Sequence, residues 1–447
     1  MQIASCVLSD ILKIAYMPNF VAQGISIDSR NIQKGDIFIA INKGHEFVKD
    51  AIKAGAILAI ISDEKYFVPE KTITVADTKE TLKSIGTYIK DQVNLRKLVA
   101  ITGSVGKTTT KFWLNEILSK KYNSFCAKKN YNTIYGVPLS LCQLEKGTSF
   151  GIFEIGSSHS GEISELSRYL EPDIGVITNI YESHIGNFEN KCQLGDEKIS
   201  IIDGIKTHGS LIFDGDSEFA DKIRNVAQNK KINTYSVGFS KNNDFYIKEY
   251  ANTVILHIPN GVMAYKVPFQ TKHLTYITAT LLATIYAMGL PTDDLLPFFL
   301  TLSPITGRGN IEKYNIHGKS FEIINDCYNA SPTAMLASLD RLDTMLNLSK
   351  IAVIGQMKEL GKYERYYHDR VAEKLKSINL EKVFFIGNKN LWEIMLQAGD
   401  VQCFEQLDNS IIEKILEIVR DGSIVLLKGS LSIGLDRFVE YVKCFSI

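Results

Sequence analysis

The chain turns on Thr102-Gly103-Ser104-Val105-Gly106-Lys107-Thr108-Thr109. An apolar stretch, Leu98 to Ile101, precedes it and reads as a buried strand. Lys111 to Lys120 follows with helical periodicity, placing Trp113, Leu114, Ile117 and Leu118 on one face. Strand, glycine-rich turn, lysine, hydroxyl, helix is the layout of a phosphate-binding loop. Glycine leaves room for a phosphate to approach the backbone. The amides and dipole of the first helical turn favour an anion. Lys107 supplies a mobile positive charge and Thr108 a hydroxyl for magnesium. The usual spelling, Gly-x-x-x-x-Gly-Lys-[Ser/Thr], would put its first glycine at Ile101. Gly103 stands two residues later, so the loop is a variant.

Working outward, 447 residues exceed what one core usually organises, and two to four domains are expected. Lys+Arg and Asp+Glu are both 50, so the net charge is zero and there is no bulk electrostatic case for nucleic acid or an acidic membrane. Cys6, Cys126, Cys142, Cys192, Cys327, Cys403 and Cys444 are scattered, odd in number and without a Cys-x-x-Cys pair. That speaks against a disulfide framework or a zinc site and for a reducing compartment. The N-terminus lacks a basic segment followed by an apolar one. Apolar runs such as Ala54 to Ile61 are too short to span a bilayer. A cytoplasmic monomer with no nucleic-acid partner and no membrane insertion is expected.

The pattern predicts an α/β chain of three domains: a small α/β domain over 1–80, a central phosphate-loop domain with a mostly parallel sheet over 81–310, and a second doubly wound, Rossmann-like domain over 311–447. In the first, strands are expected at Ile37 to Ile41 and Ala56 to Ser62, with a helix from Glu46 to Ala54. In the second, strands at Gly151 to Ile155, Ile174 to Asn179 and Ser210 to Phe213 alternate with helices such as Ile163 to Leu170, which implies a parallel sheet covered on both faces. Phe245 to Val267 reads as an antiparallel addition and Leu274 to Met288 as a helix. In the third, strands are expected at Phe321 to Ile324, Ile351 to Ile354, Val383 to Ile386 and Ile424 to Leu427.

Ligands of parallel sheets sit at the carboxyl ends of strands, and the polar clusters fall there. Glu154 ends one strand and is placed to hold a nucleotide's magnesium, which takes oxygen ligands and few carboxylates. His184 follows the next strand, where a structural and a functional role stay equally open. Lys198, on a segment that could be helical, reads most simply as a surface charge. Asn130 and Asn132 are either turn formers or amides for phosphate and acyl oxygens. Asp28-Ser29-Arg30 is either turn chemistry or a binding group. Gly307-Arg308-Gly309 lies at a domain boundary, where an arginine can meet a phosphate. Asp326-Cys327-Tyr328-Asn329 and Lys428-Gly429-Ser430 each follow a strand of the third domain.

Taken together, these stretches resemble the Mur ligases, the ATP-dependent amino-acid-adding enzymes of peptidoglycan synthesis. Glu154-Ile-Gly-Ser-Ser-His-Ser-Gly-Glu-Ile163, Gly136-Val-Pro138, Asp326-Cys-Tyr-Asn-Ala330, Met357-Lys-Glu-Leu-Gly361 and Lys428-Gly-Ser430 are similar to the branch that adds D-alanyl-D-alanine to UDP-N-acetylmuramoyl-tripeptide. The resemblance implies an N-terminal UDP-sugar domain, a central ATPase domain and a C-terminal ligase domain. It implies ATP on Thr102, Gly103, Ser104, Val105, Gly106, Lys107, Thr108 and Thr109, with Arg308 at the γ-phosphate and Asp326 at the ribose. Two magnesium ions follow, one on Thr108 and Glu154, the other on His184 and a carbamate carried by Lys198. Lys107, Asn130, His184, Lys198 and Arg308 would serve catalysis, and Ser29, Arg30, Asn132, Asn329, Lys428 and Ser430 the substrates.

Several positions depart from the family pattern. His-Asn-x-x-Asn, at the helix that touches adenine, reads His273-Leu274-Thr275-Tyr276-Ile277 here. The arginine that often follows Lys-Gly-Ser is Leu431, the acid before Met357 is Gln356, and the segment after Gly44 is short. The rival readings are a folylpolyglutamate-synthase-like ligase, opposed by Asp28-Ser29-Arg30 and its domain, and a degenerate nucleotide-binding protein, opposed by Lys107, Glu154, His184 and Lys198.

Overall fold

The computed structural model describes residues 2–15, 17–128, 131–250, 253–269, 271–316, 318–345 and 349–445. Asn130 lies outside the described residues. The described residues form three α/β sheets and one two-stranded ribbon that pairs Ile3–Ala4 with Val21–Ala22.

The first sheet has four parallel strands in chain order, Ile25–Ser26, Ile37–Ile39, Leu58–Ile61 and Thr72–Thr74. The helix expected from Glu46 is a tight 3-10 segment over Asn42–Phe47 that becomes α-helical only at Val48–Ala54. Buried His45 explains the tight start. One ring nitrogen meets Asn42 O at 2.8 Å and the other accepts the Ser62 amide at 3.0 Å, which ties the turn to the end of the neighbouring strand.

The central sheet has nine strands. From one edge the order is Gly261–Lys266, Thr253–Ile258, Phe245–Tyr250, Asn233–Gly238, Ser210–Asp214, Ile174–Ile177, Lys97–Thr102, Phe150–Glu154 and Ser124–Cys126. Pairing is parallel from Ser124–Cys126 to Phe245–Tyr250, and the last two strands add an antiparallel ribbon, as the turn at Asn260-Gly261 predicts. Inner strands are near-continuous apolar runs because helices bury both faces. The helix after the phosphate loop starts at Lys107, earlier than its apolar periodicity shows, and runs to Leu118. A helix over Thr78–Val93, capped by Asp77 through the amides of Lys79 and Glu80, leads into the central sheet.

The third sheet has six strands in the order Asn310–Ile316, Lys319–Asp326, Ile424–Lys428, Lys350–Gly355, Lys382–Ile386 and Val401–Phe404; all pairs are parallel except the first hairpin. Two apolar layers cover its faces, one containing Met335, Leu339 and Val371, the other Ile412, Ile415 and Phe438. By compactness the chain forms two units, one of 1–157, 161–178 and 197–300, the other of 158–160, 179–196 and 301–447. No helix among the described residues is long and apolar enough to cross a membrane.

Gly204 packs directly against the backbone of the helix Glu162–Leu170. A Cβ there would lie 2.0 Å from the backbone C and O of Ser167. Its φ of −104° suits any residue, so a substitution tests packing alone. Gly204→Ala should cost about 3 kcal/mol, the upper range for overpacking. Urea unfolding followed by Trp113 fluorescence in a Trp392→Phe background should show a lower midpoint with an unchanged slope.

Candidate active site

The carboxyl ends of the central strands build the first cluster. Gly103 (φ 136°) and Gly106 (φ 86°) hold backbone angles that side chains rarely adopt, and they turn the strand Lys97–Thr102 into the helix Lys107–Leu118. Lys107 Nζ folds back over the loop and donates to Gly103 O (2.6 Å) and Ser104 O (3.2 Å). Thr178 Oγ1 donates to Val105 O at 2.7 Å, tying the loop to the adjacent strand end. The Thr102 hydroxyl is buried without a hydrogen-bond partner beneath the loop.

Glu154 sits beside this loop, only 3% exposed. Its Oε2 accepts Thr108 Oγ1 at 2.8 Å, and its Oε1 accepts Asn132 Nδ2 at 2.9 Å. Lys111, fully buried, brings Nζ to 3.8 Å from Oε2. Thr108, Glu154 and Asn132 therefore meet at the carboxyl end of the strand Phe150–Glu154. Lys111 was missed, although it lies three residues beyond Thr108, on the same helical face. Thr108 and Glu154 offer the hard oxygen ligands that suit Mg²⁺. Among the described residues no group of three or more His, Cys, Asp or Glu could hold a metal ion.

Lys198 corrects its simplest reading. It is 1% exposed, on the helix Lys191–Ile199, and its Nζ donates to Ser157 Oγ at 3.1 Å. Burial, followed by the charge of Lys107, pulls its pKa down to about 7, against the opposing pull of Glu197 and Glu162. Glu197 accepts the amides of Gly161 (2.6 Å) and Ile163 (2.9 Å), holding the start of the helix Glu162–Leu170. A near-neutral buried amine is the form able to react with CO2, so the residue fits a carbamate.

The helix Lys272–Ala287 bears on the loop from another side. Leu274 and Ile277 are both buried, and Ile277 Cδ1 lies 3.5 Å from where a Cβ on Gly106 would be. Tyr276 Oη donates to Thr178 O at 2.9 Å. Of the two positions that depart from the family's amides, Ile277 therefore fills the space that a side chain at Gly106 would enter.

Ser29 and Arg30 occupy a 3-10 turn capped by Asp28. Arg30 Nε and Nη2 each donate to the Asp28 carboxylate at 2.9 Å, and this pairing holds the Asp28 carboxyl below its usual range. Nearby, Gln23, Asn31, Gln33, Asn123, Lys128 and Gln143 line a polar cleft of about 660 Å³.

The second unit carries the other residues. His184, in left-handed backbone (φ 60°), sets Nδ1 against the Glu359 carboxylate, and this contact holds Glu359 below the usual carboxylate range. His184 therefore shares its unit with Glu359 and not with Glu154, a partner no sequence pattern signalled. The Arg308 guanidinium lies 4.2 Å over the Tyr328 ring, between Gly307 and Gly309, both at positive φ. Asp326, Lys428 and Asn329 converge: Lys428 Nζ is 2.9 Å from both Asp326 Oδ2 and Asn329 O, and Ser338 Oγ donates to Asp326 Oδ2. Ser430 Oγ accepts the Lys358 amide at 2.9 Å. Gln356, where the family has an acid, accepts Lys358 Nζ (2.8 Å) and donates from Nε2 to Glu364 (2.7 Å).

A strand-end phosphate loop facing a buried acid defines a P-loop ATPase core, and the comparisons identify which kind. Residues 101–284 match the family profile described as Mur ligase middle domain, and residues 311–431 match the Mur ligase, glutamate ligase domain. The chain belongs to the Mur ligase family. It is 30% identical over 430 residues to the UDP-N-acetylmuramoyl-tripeptide--D-alanyl-D-alanine ligase of Buchnera aphidicola subsp. Baizongia pistaciae, covering 93% of this chain and 91% of the relative. The enzyme of the same name from Rickettsia prowazekii (strain Madrid E) is 29% identical over 429 residues, covering 93% and 94%. A crystal structure of MurF from Acinetobacter baumannii superposes with a TM-score of 0.87 at 25% identity, over 99% of each chain.

Burial draws the folded Lys198 pKa down to about 7, so from about pH 7 to 10.5 the folded chain holds this proton less than the unfolded chain does. The unfolded state then binds more protons, so this residue makes stability rise with pH across that window. Lys198→Met should remove that rise. Urea midpoints of both proteins at pH 7 and pH 9.5 in CO2-free buffer test it, and equal slopes against pH would contradict it.

Proposed function

We infer that the chain is an ATP-dependent ligase that joins D-alanyl-D-alanine to UDP-N-acetylmuramoyl-tripeptide. The products are UDP-N-acetylmuramoyl-pentapeptide, ADP and phosphate, as peptidoglycan precursor synthesis requires. The observation that carries this reading is the phosphate loop with Thr108 locked to buried Glu154, in a chain similar along its length to ligases of that name. The reaction runs in two steps. The tripeptide's terminal carboxylate oxygen attacks the γ-phosphorus of ATP and ADP leaves, giving an acyl phosphate. The free amine of D-alanyl-D-alanine then attacks the acyl carbon; phosphate departs and the amine loses its proton.

Each group has a physical task. The loop amides and Lys107 hold the phosphates and offset the repulsion between two anions. Thr108 and Glu154 would hold one Mg²⁺, and carbamylated Lys198 would offer oxygen to a second. Bound there, the ions neutralise charge that develops on the transferring phosphoryl group. Carbamylation replaces the Lys198 ammonium with oxygen ligands. Asn132 orients Glu154 and stands ready for acyl oxygens, and Asn130 is assigned to the same task. Arg308 acts on the γ-phosphate and Asp326 on the ribose. Residues 1–80, with Ser29, Arg30 and the polar cleft, take the UDP-sugar. Residues 81–310 take ATP. Residues 311–447, with Asn329, Lys428 and Ser430, take the incoming dipeptide. The enzyme acts as a cytoplasmic monomer.

Phosphate release should require Mg-ATP, UDP-N-acetylmuramoyl-tripeptide and D-alanyl-D-alanine together. Lys107→Ala and Lys198→Ala should each lower it at least about a hundredfold, the scale of losing a transition-state charge partner. Folded protein that binds ATP but releases no phosphate with all three present would exclude these substrates.

A further inference from the structure

One carboxylate in the second unit gathers more donors than its hairpin needs. Glu312 Oε1 accepts Asn310 Nδ2 at 2.6 Å and Asn325 Nδ2 at 3.1 Å. Its Oε2 accepts the Tyr314 hydroxyl and lies 3.1 Å from Lys443 Nζ of the C-terminal helix. These donors outweigh its partial burial and hold the carboxyl down at about 2.

The two asparagines pass this anchoring on. An amide whose NH2 is committed to a carboxylate has its oxygen fixed as well. Asn310 Oδ1 accepts the Gly307 amide at 2.8 Å. Asn325 is 3% exposed; its backbone oxygen accepts the Gly309 amide at 2.8 Å, and its Oδ1 accepts Cys327 Sγ at 3.0 Å. Gly307 is thus held by the side-chain oxygen of Asn310 that Glu312 fixes, and Gly309 by the main-chain oxygen of Asn325, whose side chain Glu312 also holds. Gly307 O in turn accepts the Tyr328 amide at 3.1 Å, which places the Tyr328 ring under the Arg308 guanidinium. Two glycines at positive φ would otherwise leave this turn loose.

We propose that Glu312 is a positioning residue for the ligation reaction: through Asn310 and Asn325 it fixes the turn Gly307-Arg308-Gly309 and so aims Arg308 at the γ-phosphate of the nucleotide. This rests on the assignment of Arg308 made above. Glu312 itself touches no substrate. A group that acts on the γ-phosphate discriminates ATP from ADP, so aiming it shows in that preference, whereas a mere brace of the hairpin shows only in stability.

The test uses the full chain with Glu312→Gln, Arg308→Ala, their double variant and Lys443→Met, measuring Mg-ATP and Mg-ADP dissociation constants, kcat, KM and Tm. The glutamine side chain keeps the volume but turns an NH2 toward donors that need an acceptor. Glu312→Gln should lower kcat and the ATP-over-ADP preference about tenfold while ADP affinity holds, and the double variant should be no worse than Arg308→Ala. Lys443→Met leaves both asparagines held and should lower Tm alone. If Arg308→Ala erodes the preference and Glu312→Gln does not, or if the two losses multiply, the role of Glu312 falls while that of Arg308 stands. If Arg308→Ala leaves the preference intact, both fall.

Discussion

A buried carboxylate that cannot do without its donors sets the terms for the central site. Glu154 is out of water at the end of an inner strand, where an unpaired charge would be costly. Its cost is offset by the Thr108 hydroxyl, the Asn132 amide and the Lys111 ammonium. Two of those partners lie on the helix that the phosphate loop opens, and the third lies in the segment before Gly136. One side chain thereby joins strand, helix and loop, and breaking any one contact leaves the others holding a poorly satisfied charge.

Much of this was legible in the chain itself, and the reason is local. The phosphate loop is a glycine and lysine pattern within eight residues, and inner parallel strands are apolar runs that need no partner to be recognised. Edge elements lack that mark. Ser124–Cys126 and Val401–Phe404 are short and half-buried, and Asn310–Ile316 mixes polar and apolar residues on both faces, with Ile311 exposed and Glu312 on the more buried side. The helix Thr78–Val93 carried a readable sign in Asp77 and Glu80, the two ends of a capping pair. Burial was the harder quantity. Nothing local distinguishes Lys198 from a solvated lysine, since its surroundings come from helix packing and from Ser157, 41 positions away. His184 and Glu359 are likewise joined only by the fold.

The departures from the family pattern have physical sense in place. Gln356 both accepts from Lys358 and donates to Glu364. A carboxylate there could accept but not donate, and it would face Glu364 as a like charge. The amide completes a neutral exchange of hydrogen bonds, which couples the strand end after Lys350–Gly355 to the start of the helix Glu364–Lys376. Leu274 and Ile277 give up polar reach for apolar burial, and Ile277 spends it on the loop glycine Gly106.

That last contact bears on the thermodynamics of nucleotide capture. The phosphate loop has buried Ile277 beside Gly106 and is held by Thr178 at the Val105 carbonyl and by Lys107 across its own carbonyls. Its shape is therefore settled when the chain folds, and the entropy of ordering it is lost then, before any ligand arrives. Binding a triphosphate to such preorganised backbone draws its free energy from phosphate contacts with little deduction for loop ordering. Loosening Ile277 would reverse that order and weaken affinity without removing a single group that touches the phosphates.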